Sequence, residues 1–285
     1  MAARITVTGG CGHFGQVLIK HLLTQSSHVR CIDRASPAPE AIQHQHLEYI
    51  TADLKDANAV KAALADCDAI AHLAAIPGLG NGFSDEEVYA NNTAISYNVL
   101  CAAARLGIKH VCLASSVNAI GGAFGPTVHY QCFPVDEQHP TFAMDAYSLS
   151  KWAMEQQADA VARRQPGMTL ASLRFHALPL DDPPLQNVDD EPNAPVTRTL
   201  WGFTNAHAAV RAVELALKAS YVGHEVFFIV APCTHYRKPS LELAAKYHPH
   251  VPICGELPGN AGFYDCSKAE QLLGWRHDVN HETSS

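Results

Sequence analysis

A short apolar strand that runs into a glycine cluster and then into a helix constrains this chain more than any other feature. Residues 4–8 have strand character, and the sequence T-G-G-C-G-H-F-G follows at residues 8–15. From His13 to Leu23, apolar residues recur at helical spacing. Glycines let the backbone turn tightly and approach a pyrophosphate, and the following helix points its amide groups at the phosphates. The segment therefore predicts a dinucleotide-binding turn, with its glycine motif starting at either Gly9 or Gly10.

Strands and helices alternate along the rest of the first 175 residues. Helical spacing favours helices at residues 58–65, 86–106 and 146–163. Further strands are predicted at residues 29–33, 47–50, 69–74, 110–115 and 169–174. Strands that are apolar throughout are typical of a parallel sheet covered on both faces. We therefore predict an α/β fold, a Rossmann-type doubly wound parallel sheet with a small C-terminal substrate-binding cap.

The alternation weakens after Phe175. Residues 178–195 contain five prolines and five acidic residues, which favours a loop or lid. A helix at about 205–219 and a strand at 225–230 then restore the pattern. We expect residues 1–175 to form the dinucleotide-binding domain and residues 176–285 to form mainly the cap, with 205–232 returning to the sheet.

Composition excludes several classes of function. The net charge of −8 argues against nucleic-acid binding, which needs a basic surface. The 17 histidines are scattered and the nine cysteines form no C-x-x-C pair, so no metal site is predicted. Cysteines within apolar runs suit a reducing compartment, and neither a secretion signal nor a membrane span is recognisable. We therefore expect a cytoplasmic protein that acts on a small molecule.

Tyr147 and Lys151 lie four positions apart in the sequence D-A-Y-S-L-S-K at residues 145–151. In a helix this spacing places both side chains on one face. A fixed positive charge favours the phenolate and lowers the pKa of a tyrosine, which otherwise titrates near pH ~10. The pair thus indicates a proton-transferring tyrosine, although the same spacing also occurs in ordinary helices.

Asp33 ends the second predicted strand, 24 positions after Gly9. An acid there accepts hydrogen bonds from ribose hydroxyls and repels a 2′-phosphate, which favours NAD over NADP. Arg34 leaves NADP possible, because a guanidinium can pair with that phosphate. The alternative for Asp33 is a structural cap at the end of the strand. Asp53, at the end of the third strand, is placed to contact adenine or to cap a turn.

Together these residues resemble the short-chain dehydrogenase/reductase superfamily and, more narrowly, its extended branch, the NAD-dependent epimerase/dehydratase family. The resemblance covers nearly the whole chain, and its motifs occur in the expected order. They are T-G-x-x-G-x-x-G at residues 8–15, H-L-A-A at 72–75, the asparagines at 91–92, C-L-A-S-S at 112–116 and D-C-S-K-A-E-Q-L-L-G-W at 265–275.

The resemblance implies a role for each matching residue. Tyr147 would be the acid/base, Lys151 would lower its pKa and hold the nicotinamide ribose, and Ser116 would hydrogen-bond the substrate oxygen, with Ser115 as the alternative. Asn91 would approach the nicotinamide side. The implied cofactor contacts are Gly9, Gly12, His13, Phe14, Gly15, Asp33, Arg34, Asp53, Leu54, Leu73, Ala74, Ala75, Asn91, Tyr147 and Lys151.

Some positions depart from the family pattern. Ser116 and Tyr147 are 31 positions apart, which is longer than usual, and the glycine-rich loop at 121–125 between them is expected near the substrate. Asn205 and Ala208 stand where the family usually has acids. Arg174 and His176 follow the sixth strand, where either could touch substrate and where Arg174 could equally pair with an acid.

Three functions remain compatible with this pattern. The first is an oxidoreductase that exchanges a hydride between NAD(P) and a carbinol or ketone carbon of a sugar-like or secondary-metabolite substrate. The second is a nucleotide-sugar epimerase or dehydratase that holds its NAD tightly. The third is a non-catalytic dinucleotide-binding regulator. A homodimer through the helices at 86–106 and 146–163 is expected from similar proteins.

Overall fold

One sheet organises the chain. The computed structural model describes residues 3–25, 27–78, 82–122, 124–125, 127–187 and 194–277. The strands are β1 (Arg4–Thr8), β2 (His28–Asp33), β3 (Leu47–Thr51), β4 (Ala69–His72), β5 (His110–Ser116), β6 (Thr169–Phe175) and β7 (Gly223–Ile229). They form a seven-stranded sheet in the order β3-β2-β1-β4-β5-β6-β7, in which paired neighbours run parallel. The predicted α/β fold with a parallel sheet is therefore confirmed.

Helices connect the strands and cover both faces of the sheet. They are α1 (His13–Thr24), α2 (Ala57–Ala63), α3 (Asp85–Leu106), α4 (Ala146–Arg164), α5 (Pro195–Arg198), α6 (Ala206–Leu217), α7 (Ser240–Tyr247) and α8 (Ser267–Leu273), with a 3₁₀ turn at Val117–Ile120. The predicted helix and strand positions agree with these bounds to within a few residues. One of the shifts is at β4, which ends at His72 rather than at Ala74.

Local sequence signals fix the ends of the long helix α3. Ser84 accepts a hydrogen bond from the Glu87 amide while the Glu87 carboxylate accepts one from the Ser84 amide, a capping box. Gly107 ends the helix at φ 73°, in the left-handed conformation that glycine adopts without a steric penalty. These caps start and stop α3 where the sequence predicts.

Two apolar layers hold the helices against the sheet. One face packs against α1, α6 and α8, with Leu18, Val213 and Trp275 in its core. The other packs against α2, α3 and α4, with Val99 and Met154 fully or almost fully buried. Coverage on both faces explains why the strands are apolar throughout.

A third core lies beside the sheet and gathers segments that are distant in sequence. Its aromatic side chains come from β7 itself and from segments before and after it: Tyr130, Phe133, Trp201, Phe228, Tyr236, Tyr247, Phe263 and Tyr264. β7 itself lies within the range 205–232 that we expected to return to the sheet. The division of the chain into two domains stays a prediction, and residues 188–193 of the predicted lid lie outside the described residues.

A serine–histidine–aspartate chain of hydrogen bonds ties α4 to β6 and β7. His224 Nε2 lies 2.8 Å from the Ser172 hydroxyl, and its Nδ1 lies 2.7 Å from the Asp159 carboxylate. Ser172 is fully buried within the sheet. Since no substrate can reach the Ser172 hydroxyl, this chain of bonds is part of the structural core.

Among the described residues, no helix combines the length and the apolar character that a membrane span requires. Within the same ranges, no three His, Cys, Asp or Glu side chains are grouped closely enough to hold a metal ion.

Candidate active site

A cavity of about 580 Å³ opens at the carboxyl ends of the strands. The order of the sheet places β2 and β3 on one side of β1, and β4 to β7 on the other. Dinucleotides bind in the crevice at such a switch point, and the volume lies within the usual range for small-molecule sites. Every residue predicted for the cofactor and for catalysis lines this cavity. Their roles remain predictions.

The glycine turn after β1 leaves no room for side chains. Gly9 has φ +71°, and a Cβ atom there would lie 2.7 Å from the backbone of Ala74. A Cβ on Gly15 would lie 2.6 Å from the Gly9 carbonyl oxygen. A Cβ on Gly10 would instead meet the Cys31 sulfur at 2.5 Å, so Gly10 packs toward the core. The motif that starts at Gly9 is therefore the one that faces the cavity.

The N-terminus of α1 faces the same cavity without a side-chain cap. Gly12 is the N-cap and has no side chain to accept a hydrogen bond from the first-turn amides. His13 and Phe14 begin the helix and line the cavity, and the Phe14 ring packs edge-on against Phe175 at 5.5 Å. Uncapped amides and the helix dipole suit an anionic group such as a pyrophosphate.

Asp33 links the end of β2 to the glycine turn. Its carboxylate accepts hydrogen bonds from the Cys11 and Ala35 amides, both at 3.1 Å. Asp33 therefore caps the end of its strand and also lines the cavity, and its contact with a ribose stays a prediction. The neighbouring Arg34 guanidinium lies 5.8 Å from the centre of the Phe83 ring.

Two further polar residues complete the cofactor side of the cavity. The Asp53 carboxylate accepts the Lys55 amide at 2.9 Å, so it orders a turn while lining the cavity. Asn91 donates to the side chain of Asn92 at 3.1 Å. Asn92 is buried and bonds both backbone groups of Ile76, so it fixes the segment that follows β4.

The tyrosine, the lysine and the serine predicted for catalysis meet at one end of the cavity. Tyr147 is on the first turn of α4, which Asp145 caps by accepting the Ser148 amide at 2.8 Å. The Ser116 side chain lies close enough to the Tyr147 hydroxyl to lower the pKa of Tyr147. The Lys151 ammonium donates to the Ala114 carbonyl oxygen at 2.7 Å and lies 5.6 Å from the centre of the Tyr147 ring.

The pKa of Tyr147 is raised, whereas the sequence led us to expect that Lys151 would lower it. Tyr147 is half-buried at the cavity, and desolvation raises its pKa to about 12. The contact with the Ser116 side chain lowers that pKa, and the charge of Asp145 raises it. Burial also lowers the pKa of Lys151 to about 8. Desolvation is thus the largest influence on the pKa of both groups.

The two candidate serines have different partners. Ser116 accepts the Asn118 amide at 3.1 Å and lies beside Tyr147, whereas Ser115 donates to the Glu155 carboxylate at 2.6 Å. Arg174 donates to the same carboxylate from Nε at 3.0 Å and from Nη2 at 2.8 Å. Of the two roles considered for Arg174, the structure supports pairing with an acid. Sequence reasoning missed Glu155 itself, although it lies one helical turn after Lys151.

His176 also lines the cavity, but both of its ring nitrogens have protein partners. Nε2 lies 3.0 Å from the Thr199 carbonyl oxygen, and Nδ1 accepts the Ala177 amide at 2.7 Å. Burial lowers the pKa of His176 to about 4, so the ring is neutral at pH 7. The remaining lining residues that we did not predict are mostly small or apolar neighbours of predicted ones: Cys11, Ala35, Ala52, Ile76, Pro77, Ile95, Ala114, Phe175 and Leu178.

The positions that lack the family's acids have structural roles here. Asn205 caps α6 by accepting the His207 amide at 2.8 Å, and it donates to the Asp182 carboxylate at 3.0 Å. Ala208 is buried, and its carbonyl oxygen accepts the Trp275 indole N–H at 2.9 Å. Asn205 therefore anchors the start of the loop after β6 to α6.

Two curated relatives match 58% and 79% of this chain. A putative dihydroflavonol 4-reductase of Synechocystis sp. is 32% identical over 167 residues, which cover 58% of this chain and 46% of that protein. The chain thus spans about half the length of that relative. The uronate dehydrogenase of Pseudomonas putida is 28% identical over 225 residues, which cover 79% of this chain and 75% of that enzyme.

Solved structures share the whole fold. Uronate dehydrogenase from Agrobacterium tumefaciens has a TM-score of 0.70 at 22% identity, covering 99% of this chain and 86% of that one. MoeE5 in complex with UDP-glucuronic acid and NAD has a TM-score of 0.70 at 20% identity, covering 98% and 95%. Residues 5–178 match the sequence model of the NAD dependent epimerase/dehydratase family. The matched range contains the glycine turn, Ser116, Tyr147 and Lys151. The chain belongs to the NAD dependent epimerase/dehydratase family.

Proposed function

We propose that this protein is an NAD-dependent oxidoreductase that moves a hydride between the nicotinamide and a carbinol or ketone carbon of a small molecule. The observation that carries the proposal is that Ser116, Tyr147 and Lys151 line the same cavity as the glycine turn after β1. The hydroxyls of Ser116 and Tyr147 can hold the substrate oxygen and exchange a proton with it.

The cavity suits a dinucleotide on its own geometry. The glycine turn brings bare backbone to the cavity, and the uncapped N-terminus of α1 offers amides to a pyrophosphate. Asp33 would face the adenosine ribose, and Asn91 and Lys151 would lie toward the nicotinamide. When bound, NAD supplies the hydride acceptor, and NADH the hydride donor.

The protonation states of Tyr147 and Lys151 at pH 7 support a different role for each residue. With a pKa of about 12, Tyr147 is protonated at pH 7 and can donate its proton to a substrate oxygen during reduction. In the oxidation direction the same oxygen must accept the alcohol proton. Lys151, with a pKa of about 8, is mainly cationic at pH 7 and would stabilise the phenolate that forms. Ser116 would orient the substrate oxygen between them.

The relatives support a choice of candidate substrates, and the substrate class is the first property to test. The uronate dehydrogenase match extends over most of both chains, which supports sugar acids as the first candidates. The experiment is to mix the purified protein with NAD and a panel of uronic acids, sugars and nucleotide sugars, and with NADH and aromatic ketones. We expect net formation or consumption of NADH, followed by absorbance. An isomerised product without net change in NADH would instead identify an epimerase.

Asp33 is predicted to set the preference for NAD. Asp33→Asn removes the negative charge and keeps one oxygen, which can still accept from either the Cys11 or the Ala35 amide. Because a carboxylate repels a 2′-phosphate, we expect the ratio of kcat/KM for NAD to that for NADP to fall by about tenfold. The measurement is steady-state kinetics with both cofactors. An unchanged ratio would show that Asp33 does not discriminate between them.

The predicted homodimer and cytoplasmic location stay predictions. The helices α3 and α4 proposed for the dimer pack against each other on one face of the sheet. They leave Tyr97 and Leu149 exposed, which supports a contact surface there.

A further inference from the structure

A buried carboxylate lies directly behind the proposed active site. Glu155 is 1% exposed and follows Lys151 by four residues on α4, so the two side chains share one helix face. A carboxylate so far from water needs strong hydrogen bonds or an opposite charge. Glu155 has both, since Arg174 and Ser115 donate three hydrogen bonds to it.

Three consecutive residues at the end of β5 contact three successive turns of α4. Ser116 lies beside Tyr147, the Ala114 carbonyl oxygen accepts from Lys151, and Ser115 donates to Glu155. Ser115 and Ala114 therefore fix the strand end that presents Ser116. Of the three α4 residues in these contacts, Tyr147 and Lys151 line the cavity and Glu155 does not.

The charge of Glu155 also acts on Lys151. The Lys151 ammonium is 6% exposed, and burial lowers its pKa while Glu155 raises it. On the opposite side His72 is neutral, because burial and the Lys151 charge lower the pKa of His72 to about 3. Tyr147, protonated at pH 7, adds no charge.

Arg174 carries the balancing charge from β6. Its guanidinium lies 5.1 Å from the centre of the Phe228 ring and is 5% exposed. It also acts on Glu137, whose pKa burial raises and the Arg174 charge lowers. The Glu155 carboxylate on α4 thus contacts β5 through Ser115 and β6 through Arg174. Without its charge, Lys151 and Arg174 would be two buried cations with no carboxylate beside them.

We propose that Glu155 is a positioning residue for this active site, which holds the end of β5 against α4 and places a buried carboxylate on the helix face of Lys151. The inference rests on the proposed function for the roles of Lys151 and Tyr147. The contacts of Glu155 themselves do not depend on any substrate.

The test measures the titration of Lys151 in cofactor-free protein. Amines react with acetic anhydride as free bases, so peptide mass spectrometry of acetylation against pH gives the midpoint for Lys151, with exposed Lys61 as an internal reference. In Glu155→Gln, which keeps the shape but removes the charge, we expect the midpoint to fall by roughly one pH unit. If the cofactor-dependent reaction is observed, the alkaline limb of its pH profile should move in the same direction.

A matched control is Glu48→Gln. Glu48 on β3 also accepts a hydrogen bond from an arginine, Arg30 Nε at 2.9 Å, but it lies outside the cavity lining. We expect the Lys151 midpoint to be unchanged in this variant. A folded Glu155→Gln protein with the parent midpoint for Lys151 would overturn the proposal.

A second variant keeps the test decisive if Glu155→Gln does not fold. Glu155→Gln combined with Arg174→Met removes both buried charges and avoids an unpaired guanidinium. Arg174 contacts Glu155, and the charge that acts on Lys151 is that of Glu155. The midpoint of Lys151 should therefore still fall, by less than in Glu155→Gln, and an unchanged midpoint again overturns the proposal. Because acetylation needs neither cofactor nor substrate, its result stands even if no oxidoreductase activity is found.

Discussion

Replacing Tyr147 with phenylalanine is expected to lower kcat by about 10²- to 10⁴-fold, the usual contribution of a positioned acid or base. The change removes the hydroxyl that lies beside Ser116 but keeps the ring, which contacts Phe124 edge-on at 6.0 Å. NAD affinity should therefore stay close to that of the parent, and stability should fall by no more than about 1 kcal/mol. Steady-state kinetics and calorimetric titration with NAD measure the two effects separately.

Tyr221→Phe is the matched control for this prediction. The Tyr221 hydroxyl donates to the Leu170 carbonyl oxygen at 3.0 Å, and the residue is outside the cavity lining. Its loss should change stability by a similar amount and leave kcat unaltered. If Tyr147→Phe retains the parent kcat, the proton passes through another group and the proposed mechanism is wrong.

Gly9→Ala is expected to produce the second large effect, on both stability and cofactor binding. The residue has φ +71°, and the new Cβ would lie 2.7 Å from the Ala74 backbone, which a side-chain rotation cannot relieve. We expect a loss of about 2–4 kcal/mol in the free energy of unfolding. NAD affinity should fall by at least tenfold, because the turn and the strand end after β4 must separate. Denaturant unfolding and NAD titration provide the measurements.

Gly107→Ala separates backbone strain from the local clash. Gly107 has φ +73°, almost the same as Gly9, but a Cβ there meets no atom within 4 Å. This variant should lose about 1 kcal/mol and bind NAD like the parent. Equal NAD affinity in the Gly9→Ala and Gly107→Ala proteins would show that the turn after β1 does not hold the cofactor.

Predictions from local pattern agree best with the structure. The helical spacing after residue 145 and the caps of α3 depend on residues close in sequence, and these elements form where expected. The glycine motif could be started at Gly9 or Gly10 from the letters alone. Packing separated the two, since the Cys31 sulfur lies where a Cβ on Gly10 would point.

The behaviour of charged groups was predicted less well. The Y-x-x-x-K spacing indicates a tyrosine beside a cation, and the sequence offers no measure of how much water surrounds either group. In the folded chain burial dominates, and the pKa of Tyr147 rises while that of Lys151 falls. Glu155 was missed for the same reason, because its partners Ser115 and Arg174 come from β5 and β6.

By itself, the sequence determined the alternating strands and helices, the glycine turn after β1 and the shared helix face of Tyr147 and Lys151. These features follow from backbone sterics and from helical and strand periodicity, which act over a few residues. Only the tertiary structure decided which serine meets Tyr147, which acid pairs with Arg174 and in which direction each pKa moves. Those outcomes depend on desolvation and on contacts between strands and helices that are far apart along the chain.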